Sequence, residues 1–305
     1  MWFRNLQVYL LTAPFEFSAE ELHDRLLTKI SRKCGSLEMS TLGWERPLGR
    51  NGTQLTHATA GCIMICARRE EKVLPPAVIR ERLTEKVDAL EETEKRRAGR
   101  RERQEIRDEI VQDLLPRAFT RSALTYAYID IRNRWLVIDA ASVKKAEELI
   151  SLLRETLGTL PLRPLQVNQA PTGVMTAWLK SGGPPGDFQI QDECELRDRV
   201  EEGGVVRCRR QNLEGSEIKT HLDAGKQLVQ LSLEWHERLG FLLTEELSIK
   251  RLRFLEVIQE EAAQSEAEDA ATRFDLDFSL MTLELGRFIP RLIEVFGGLA
   301  EELAV

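Results

Sequence analysis

Basic side chains gathered in three short segments are the residues best suited to do chemistry in this sequence. The segments are 95–103 (KRRAGRRER), 207–212 (RCRRQN, with Lys219 and Lys226 beyond it) and 250–254 (KRLRF). Guanidinium and ammonium groups donate charge-assisted hydrogen bonds that phosphate oxygens accept. Positive charge at this density predicts contact with the phosphate backbone of a nucleic acid.

The second and third segments lie in strand-like patterns, where alternate residues share a face of the sheet. Arg207 and Arg209 would then face one side and Arg210 the other, while Arg251 and Arg253 share a face. Neutral hydrogen bonds from Gln211 would complement the charges. The predicted DNA-binding residues are Arg207, Arg209, Arg210, Gln211, Lys226, Lys250, Arg251 and Arg253.

Two of the basic segments also have a structural interpretation. The 95–103 turn is explained equally well as a solvated loop, and charges on 250–254 are a common protection of an edge strand against aggregation. The net charge of −7 favours these interpretations. Phosphate, however, responds to the field within a Debye length of about 8–10 Å, so the distribution of charge matters more than its total.

The basic segments lack the base-reading architecture of a helix-turn-helix, a zinc finger or a basic zipper. We therefore expect contact with the DNA backbone and weak sequence preference. On duplex DNA, the logarithm of the affinity should fall by about 0.9 per neutralised phosphate for each tenfold rise in salt.

Phe119 stands between Arg117 and Arg121. Most phenylalanines belong to a core, but arginines on both sides are typical of a surface segment. An exposed ring there could close a contact between subunits. Both interpretations of Phe119 stay open at this point.

The motifs of common enzymes are missing from the sequence. It contains no GxxxxGK[ST] phosphate loop, no GxGxxG after a strand, no GxSxG elbow and no HExxH helix. The cysteines at 34, 62, 66, 194 and 208 form no CxxC pair, and none has a histidine at ligand spacing. We expect a protein that is not an enzyme and that holds neither cofactor nor metal.

Length and composition favour a globular protein of several lobes. The chain has 305 residues, of which 42% are hydrophobic and 30% are charged with mixed sign. Its apolar runs fall far short of the ~20 residues that a membrane-spanning helix needs. The first residues alternate like a strand and do not resemble a secretory signal. We expect a cytoplasmic protein with no membrane partner.

The first half combines strands with helices. Its predicted elements are a strand at 3–11, a helix at 18–30, a strand at 53–68, a β-hairpin at 124–131 and 134–140, and a helix at 142–157 that ends at Gly158. Ser18 and Glu21 have the spacing of a capping box. Apolar residues at helical spacing in 79–90 and 106–114 predict an antiparallel helical hairpin whose turn is the basic segment 95–103.

The second half predicts another sheet closed by a long helix. After a linker at 160–164 come short helices at 172–180 and 192–202, then strands at 204–210, 226–237, 240–247 and 249–255, and a helix from 274 to 295 that Pro290 should kink. The expected fold is α+β with antiparallel sheets. We predict a central domain of 1–75 plus 117–160, a projecting helical hairpin (tip) domain of 76–116 and a base domain of 165–305.

Short motifs along nearly the whole chain resemble the bacterial RdgC proteins. The stretches are 2–6 (WFRNL), 43–44 (GW) with Pro47, 55–57 (LTH), 65–75 (ICARREEKVLP), 114–119 (LLPRAF), 141–147 (ASVKKAE), 203–207 (GGVVR), 273–275 (RFD) and 280–282 (LMT). Each stretch alone is weak evidence. Together, and in this order, they are specific to the RdgC family.

The resemblance implies a ring-shaped homodimer with a positively charged hole that encircles duplex DNA. Family members bind single- and double-stranded DNA without marked sequence preference and restrain strand exchange by RecA, which implies a protein of the nucleoid. By motif, Arg210, Gln211 and Lys226 would contact DNA, and Phe119 would join the subunit contact. The alternative is a protein-interaction scaffold that dimerises through its C-terminal helix and does not bind DNA, which the overall acidity favours.

Overall fold

The computed structural model describes residues 1–181, 183–200, 203–264 and 269–300. Its strands form two sheets, one of seven strands and one of five, and every pairing between named strands is antiparallel. The predicted α+β class with antiparallel sheets is confirmed. Within the described ranges, no helix is both long and apolar enough to cross a membrane.

The first sheet contains the long central strands of the molecule. Its strands are β1 (Gln7–Leu11), β2 (Ser40–Glu45), β3 (Thr56–Thr59), β4 (Cys62–Val73), β5 (Phe119–Asp130), β6 (Trp135–Ile138) and β7 (Leu162–Pro164). They are ordered β2-β4-β5-β6-β1-β7, and β3 pairs with β4. Strands β4 and β5 stay in register from Cys62 opposite Asp130 to Val73 opposite Phe119.

Two expectations for this sheet are wrong. The single strand predicted at 53–68 is two strands, because the chain reverses at Ala60 and Gly61, whose φ angles of 51° and 83° make a tight turn. The linker predicted at 160–164 contains β7, which pairs with β1 at the sheet edge. Strand β2 was not predicted.

The helices α1 (Ala19–Leu26) and α4 (Val143–Leu157) cover one face of this sheet. The predicted capping box at Ser18 is present, and α4 ends at Gly158, whose φ of 86° suits a residue without Cβ. Alternation along β4 sends Ile63 and Ile65 into this core and the intervening Met64 into a second core on the opposite face.

The helices α2 (Pro76–Glu94) and α3 (Arg100–Leu114) lie between β4 and β5 in the chain and pack against each other. Ion pairs of Lys86 with Glu109 and of Arg103 with Glu91 join them, so the two helices run antiparallel. Val87 is the buried residue of α2 and Ile110 that of α3. The two helices therefore share little core.

The second sheet has the order β12-β11-β10-β8-β9. Its strands are β8 (Phe188–Arg197), β9 (Val205–Arg209), β10 (Gln227–Trp235), β11 (Leu239–Thr244) and β12 (Ile249–Phe254). The helix predicted at 192–202 is wrong over all of its described residues, since 192–197 belong to β8 and 198–200 are not helical, and residues 201 and 202 lie outside the described ranges. Cys194 and Leu196 pair with β10, and this tertiary pairing overrides the local pattern.

Four described helices lie in the second half of the chain, of which two were predicted and two were not. Helix α5 (Pro171–Ser181) matches the expectation for 172–180, whereas α6 (Ser216–Asp223) and α7 (Glu256–Gln264) were not predicted. The long helix α8 (Ala270–Val295), the second predicted one, contains Pro290.

Helix α8 joins the two sheets through one hydrophobic core. Its buried stripe includes Phe278, Met281 and Leu285, which share a cluster with Met64 of β4 and Leu231 of β10. The stripe is thus core packing. The division of the chain into three domains remains a prediction.

Candidate nucleic-acid interface

Two of the three basic segments converge on the outer face of the second sheet. They line a groove of about 690 Å³ together with the N-terminal segment, and we name it the arginine groove. Its lining includes Arg4, Asn5, Asp192, Glu193, Arg209, Arg210, Ser232, Arg251 and Arg253. Five arginines face two carboxylates here, which makes the groove locally basic in a chain of net charge −7.

Arg4 reaches the groove because the N-terminal segment runs along β12. The Leu252 amide donates to the Arg4 carbonyl at 2.8 Å, and the Arg251 amide donates to Asn5 Oδ1 at 3.3 Å. Sequence reasoning missed Arg4, since a lone basic residue carries no signal when its neighbours lie almost 250 positions away. Only the pairing of the chain start with β12 reveals it.

Arg207 and Arg209 lie directly opposite acidic residues of β8. Register places Arg209 across from Glu193 and Arg207 across from Glu195. Arg209 Nε lies 3.3 Å from Glu193 Oε1, and Arg207 Nε lies 2.7 Å from Glu195 Oε2. These cross-strand ion pairs neutralise part of the charge that the sequence concentrates there.

Glu195 remains ionised despite being largely buried. Burial raises its pKa, but hydrogen bonds from Arg207 and Arg197 outweigh that effect and hold the pKa below its usual range. The side chain of Arg207 is 65% exposed over this carboxylate. Arg207 does not line the arginine groove.

Arg251 reaches across the groove to Glu193. Its Nη2 and Nη1 atoms donate to the two carboxylate oxygens at 2.7 and 2.9 Å, although β11 and β10 lie between β12 and β8. Strands are about 4.8 Å apart, so a long side chain and a curved sheet are both needed to close this distance. Hydrogen bonds from Arg251 hold the pKa of Glu193 below its usual range.

Arg210 and Arg253 are, with Arg4, the groove's cations that form no ion pair. All three are exposed, and no carboxylate of the described residues lies within ion-pair distance of them. The prediction that Arg210 faces away from Arg209 is wrong, because its φ of 54° ends the strand alternation and both side chains line the groove. The N–H donors of Arg4, Arg210 and Arg253 are therefore available to an anion.

Three further predicted residues lie outside the groove lining. Lys226 Nζ donates to Asp198 Oδ1 at 2.6 Å and to the Gly204 carbonyl at 3.2 Å, and its side chain is only 13% exposed. Gln211 Nε2 donates to Glu217 Oε2 at 3.1 Å. Lys250 is half-buried on β12. A role for these residues in DNA binding stays a prediction.

The basic turn between α2 and α3 has a different environment. Its ion pairs are Arg96 with Glu94 and Glu102, Arg101 with Glu105, and Arg103 with Glu91. Arg97 and Arg100 have no carboxylate partner in the parts of the chain that the structure describes. Lys95 likewise forms no ion pair with a described carboxylate, so local carboxylates match half of the turn's six basic side chains.

Phe119 is 86% exposed at the start of β5, which excludes its interpretation as a core residue. Its strand partner Val73 is also exposed, and Arg121 pairs with Glu71 at 2.5 Å. Arg117 is exposed beside them. The ring lies on the surface and belongs to neither core.

The cysteines and histidines form no recognisable metal centre in the described ranges, where no group of three His, Cys, Asp or Glu side chains could hold an ion. All five cysteines are free, and burial raises the pKa values of Cys62 and Cys66 to about 12. His57 Nε2 lies 3.0 Å from Asp275 Oδ1, and this contact connects β3 to α8.

Comparison with known proteins places the chain in a family. The family model described as "Putative exonuclease, RdgC" matches residues 1–299. Curated relatives named "Recombination-associated protein RdgC" include one from Aeromonas hydrophila, 46% identical over 298 residues, and one from Pseudomonas aeruginosa, 47% identical over 299 residues. Both alignments cover 98% of this chain and 98% of the relative. The chain therefore belongs to the RdgC family, as its short motifs indicated.

Proposed function

We propose that this chain binds DNA through the phosphate backbone, using the arginine groove, and regulates homologous recombination by occupying DNA. One observation carries the proposal: five arginines from three separate parts of the sequence line one groove of an acidic chain. The names of the relatives support a role in recombination.

The chemistry of the groove favours backbone contact over base reading. Guanidinium groups match the paired oxygens of a phosphate, and Arg210 and Arg253 offer donors that no described carboxylate occupies. The aromatic ring at the groove, Phe241, is only 2% exposed and is not available to stack on a base. We therefore propose binding to single- and double-stranded DNA with little dependence on sequence.

We also propose that two copies of the chain close into a ring around duplex DNA. Phe119 would pack into the contact between subunits, with Arg117 and Arg121 beside it. The 86% exposure of a phenylalanine supports a partner, since burial of an aromatic ring is a common source of interface energy. Sedimentation of Phe119→Ser should show a shift towards monomer, and an unchanged dimer would contradict this contact.

The proposed action on RecA is competition for the same DNA, without a bond made or broken. A strand-exchange reaction by RecA should slow when the protein is added. The charge-reversal variant Arg210→Glu/Arg253→Glu should restore its rate. Equal inhibition by this variant would argue for the scaffold alternative, in which DNA is not contacted.

Binding and cleavage are separated by one assay, which matters because the matching family model is described as an exonuclease. End-labelled single- and double-stranded DNA should stay full length during incubation with the protein and Mg²⁺ or Mn²⁺. Progressive shortening in proportion to protein would contradict the proposal of binding alone.

The proposed DNA binding is tested by titrating a labelled random-sequence duplex at several salt concentrations. The affinity should fall steeply, by about 0.9 logarithmic units per neutralised phosphate for each tenfold rise in salt. Absence of binding at low salt, or an affinity that is independent of salt, would overturn it.

A further inference from the structure

Glu193 lies in the middle of the arginine groove, between guanidinium groups from two different strands. Arg251 donates to both of its carboxylate oxygens, and Arg209 Nε lies 3.3 Å from Oε1. The Glu193 side chain is 19% exposed, whereas those of Arg209 and Arg251 are 71% and 55% exposed. The carboxylate thus lies beneath the two cations that face solvent.

A carboxylate in this position competes with a phosphate for the same donors. Both anions present two oxygens that match the fork of a guanidinium group. Because both terminal nitrogens of Arg251 already donate to Glu193, a phosphate can bind this two-nitrogen fork only when that pair opens, and until then only the remaining N–H groups of Arg251 are free. Arg210 and Arg253 in the same groove are not held in this way.

We propose that Glu193 is an autoinhibitory residue of the arginine groove, which mimics a phosphate and limits the affinity for DNA. A backbone phosphate must displace the Glu193 carboxylate to make a two-pronged contact with the terminal nitrogens of Arg251, and this exchange keeps binding weak and readily reversible. The inference rests on the proposed DNA binding.

Asp192 offers a matched control, because it lines the same groove and is next to Glu193 in the chain. Its side chain is exposed, and none of the basic groups that the structure describes forms an ion pair with it. Replacing either acid by its amide changes the net charge equally. Only Glu193→Gln releases bound arginines.

The test compares the affinities of wild type, Glu193→Gln and Asp192→Asn for a labelled random-sequence duplex. Glu193→Gln should bind roughly tenfold more tightly, with a salt slope steeper by about 0.9, because Arg251 gains a phosphate contact. Asp192→Asn should gain no more than about twofold from the general change in charge. Equal gains for the two variants would overturn the proposal.

A double variant identifies the source of the gain. The proposal predicts that Glu193→Gln/Arg251→Gln loses most of the increase seen in Glu193→Gln. If the double variant keeps the whole increase, Arg251 is not the residue that Glu193 restrains, and the proposal fails. Should Glu193→Gln not fold, Glu193→Asp keeps the charge but shortens the reach to Arg251, and an affinity equal to that of wild type would overturn it.

Failure of this inference is distinct from failure of the proposed function. A wild-type protein that binds DNA, with an affinity that Glu193→Gln leaves unchanged, contradicts autoinhibition alone. A wild-type protein that does not bind DNA at low salt contradicts both.

Discussion

The two basic regions of this molecule differ in how their charges are matched, although their sequences are similarly rich in arginine. In the turn between α2 and α3, carboxylates of the same two helices pair with Arg96, Arg101 and Arg103. In the arginine groove, Arg210 and Arg253 have no described carboxylate partner, and one glutamate is shared between Arg209 and Arg251. Both regions keep cations without a described partner, and they differ in whether the carboxylates that pair with the others are close in sequence or distant.

The two regions differ because the carboxylates that pair with the turn's arginines are close to them in the sequence, whereas the residues of the groove are distant from one another. Helical spacing of three or four residues brings Glu105 to Arg101 automatically, whereas the groove is assembled from segments far apart in the chain. Exposed ion pairs such as those of the turn contribute little to stability, with a typical value of about 0–1 kcal/mol.

An ion pair with a buried carboxylate extends this comparison and gives the largest expected effect. Arg238 donates to Glu284 at 2.7 and 2.9 Å, and the Glu284 side chain is 2% exposed. Arg238→Gln should lower the free energy of unfolding by about 2 kcal/mol, because it leaves the buried Glu284 carboxylate with only the longer 3.5 Å contact to Arg287. Urea unfolding measures this loss; a loss below about 1 kcal/mol would show that Glu284 finds another partner or a proton.

Charge reversal in the groove should have the largest effect on binding. Arg210→Glu/Arg253→Glu is expected to weaken DNA affinity on the order of 100-fold, because two free donors become repulsive to phosphate. The matched control is Arg97→Glu/Arg100→Glu in the turn, which changes the charge equally. A similar loss in both variants would show that total charge, and not the groove, controls binding.

Neutralisation of Arg4 should have a smaller effect and tests whether the N-terminal segment belongs to the groove. Arg4→Gln is expected to weaken affinity roughly three- to fivefold through loss of one phosphate contact. Fluorescence anisotropy with labelled duplex DNA measures the change. An unchanged affinity would remove Arg4 from the interface.

A pH effect on stability is expected from the ion pair of Asp187 with Arg291. Hydrogen bonds from Arg291 lower the pKa of Asp187 from 3.8 to about 2. Because the pKa of Asp187 is lower in the folded than in the unfolded state, the ion pair contributes fully to the free energy of unfolding above about pH 4. This contribution is lost as the pH falls from about 4 to about 2. The stability difference between wild type and Asp187→Asn should narrow over that range; a constant difference would contradict the assignment.

Sequence reasoning recovered local structure well where local chemistry decides it. The capping box at Ser18 and the helix stop at Gly158 need only neighbouring residues, and the stripe of α8 follows from helical periodicity. It failed for β8, where residues predicted as a helix form a strand through pairing with β9 and β10. It also missed the edge strand β7, because Pro164 within it and Pro161 just before it suggested a linker.

The candidate site was predicted in its parts but not in its assembly. Arg209, Arg210, Arg251 and Arg253 were identified from charge and strand spacing, and they share one groove. Neither Arg4 nor the carboxylates beneath the arginines were predicted as part of it. Their positions depend on strand register and on the docking of the N-terminal segment, which local patterns do not specify.

The salt dependence of DNA affinity for two neutral double variants is the most direct test of the arginine groove. Arg210→Gln/Arg253→Gln should lower the slope of log affinity against log salt by about 1.8, because two phosphate contacts are lost, while Arg97→Gln/Arg100→Gln should leave the slope unchanged. A wild-type slope in the groove variant, with a reduced slope in the turn variant, would contradict the groove as the DNA contact.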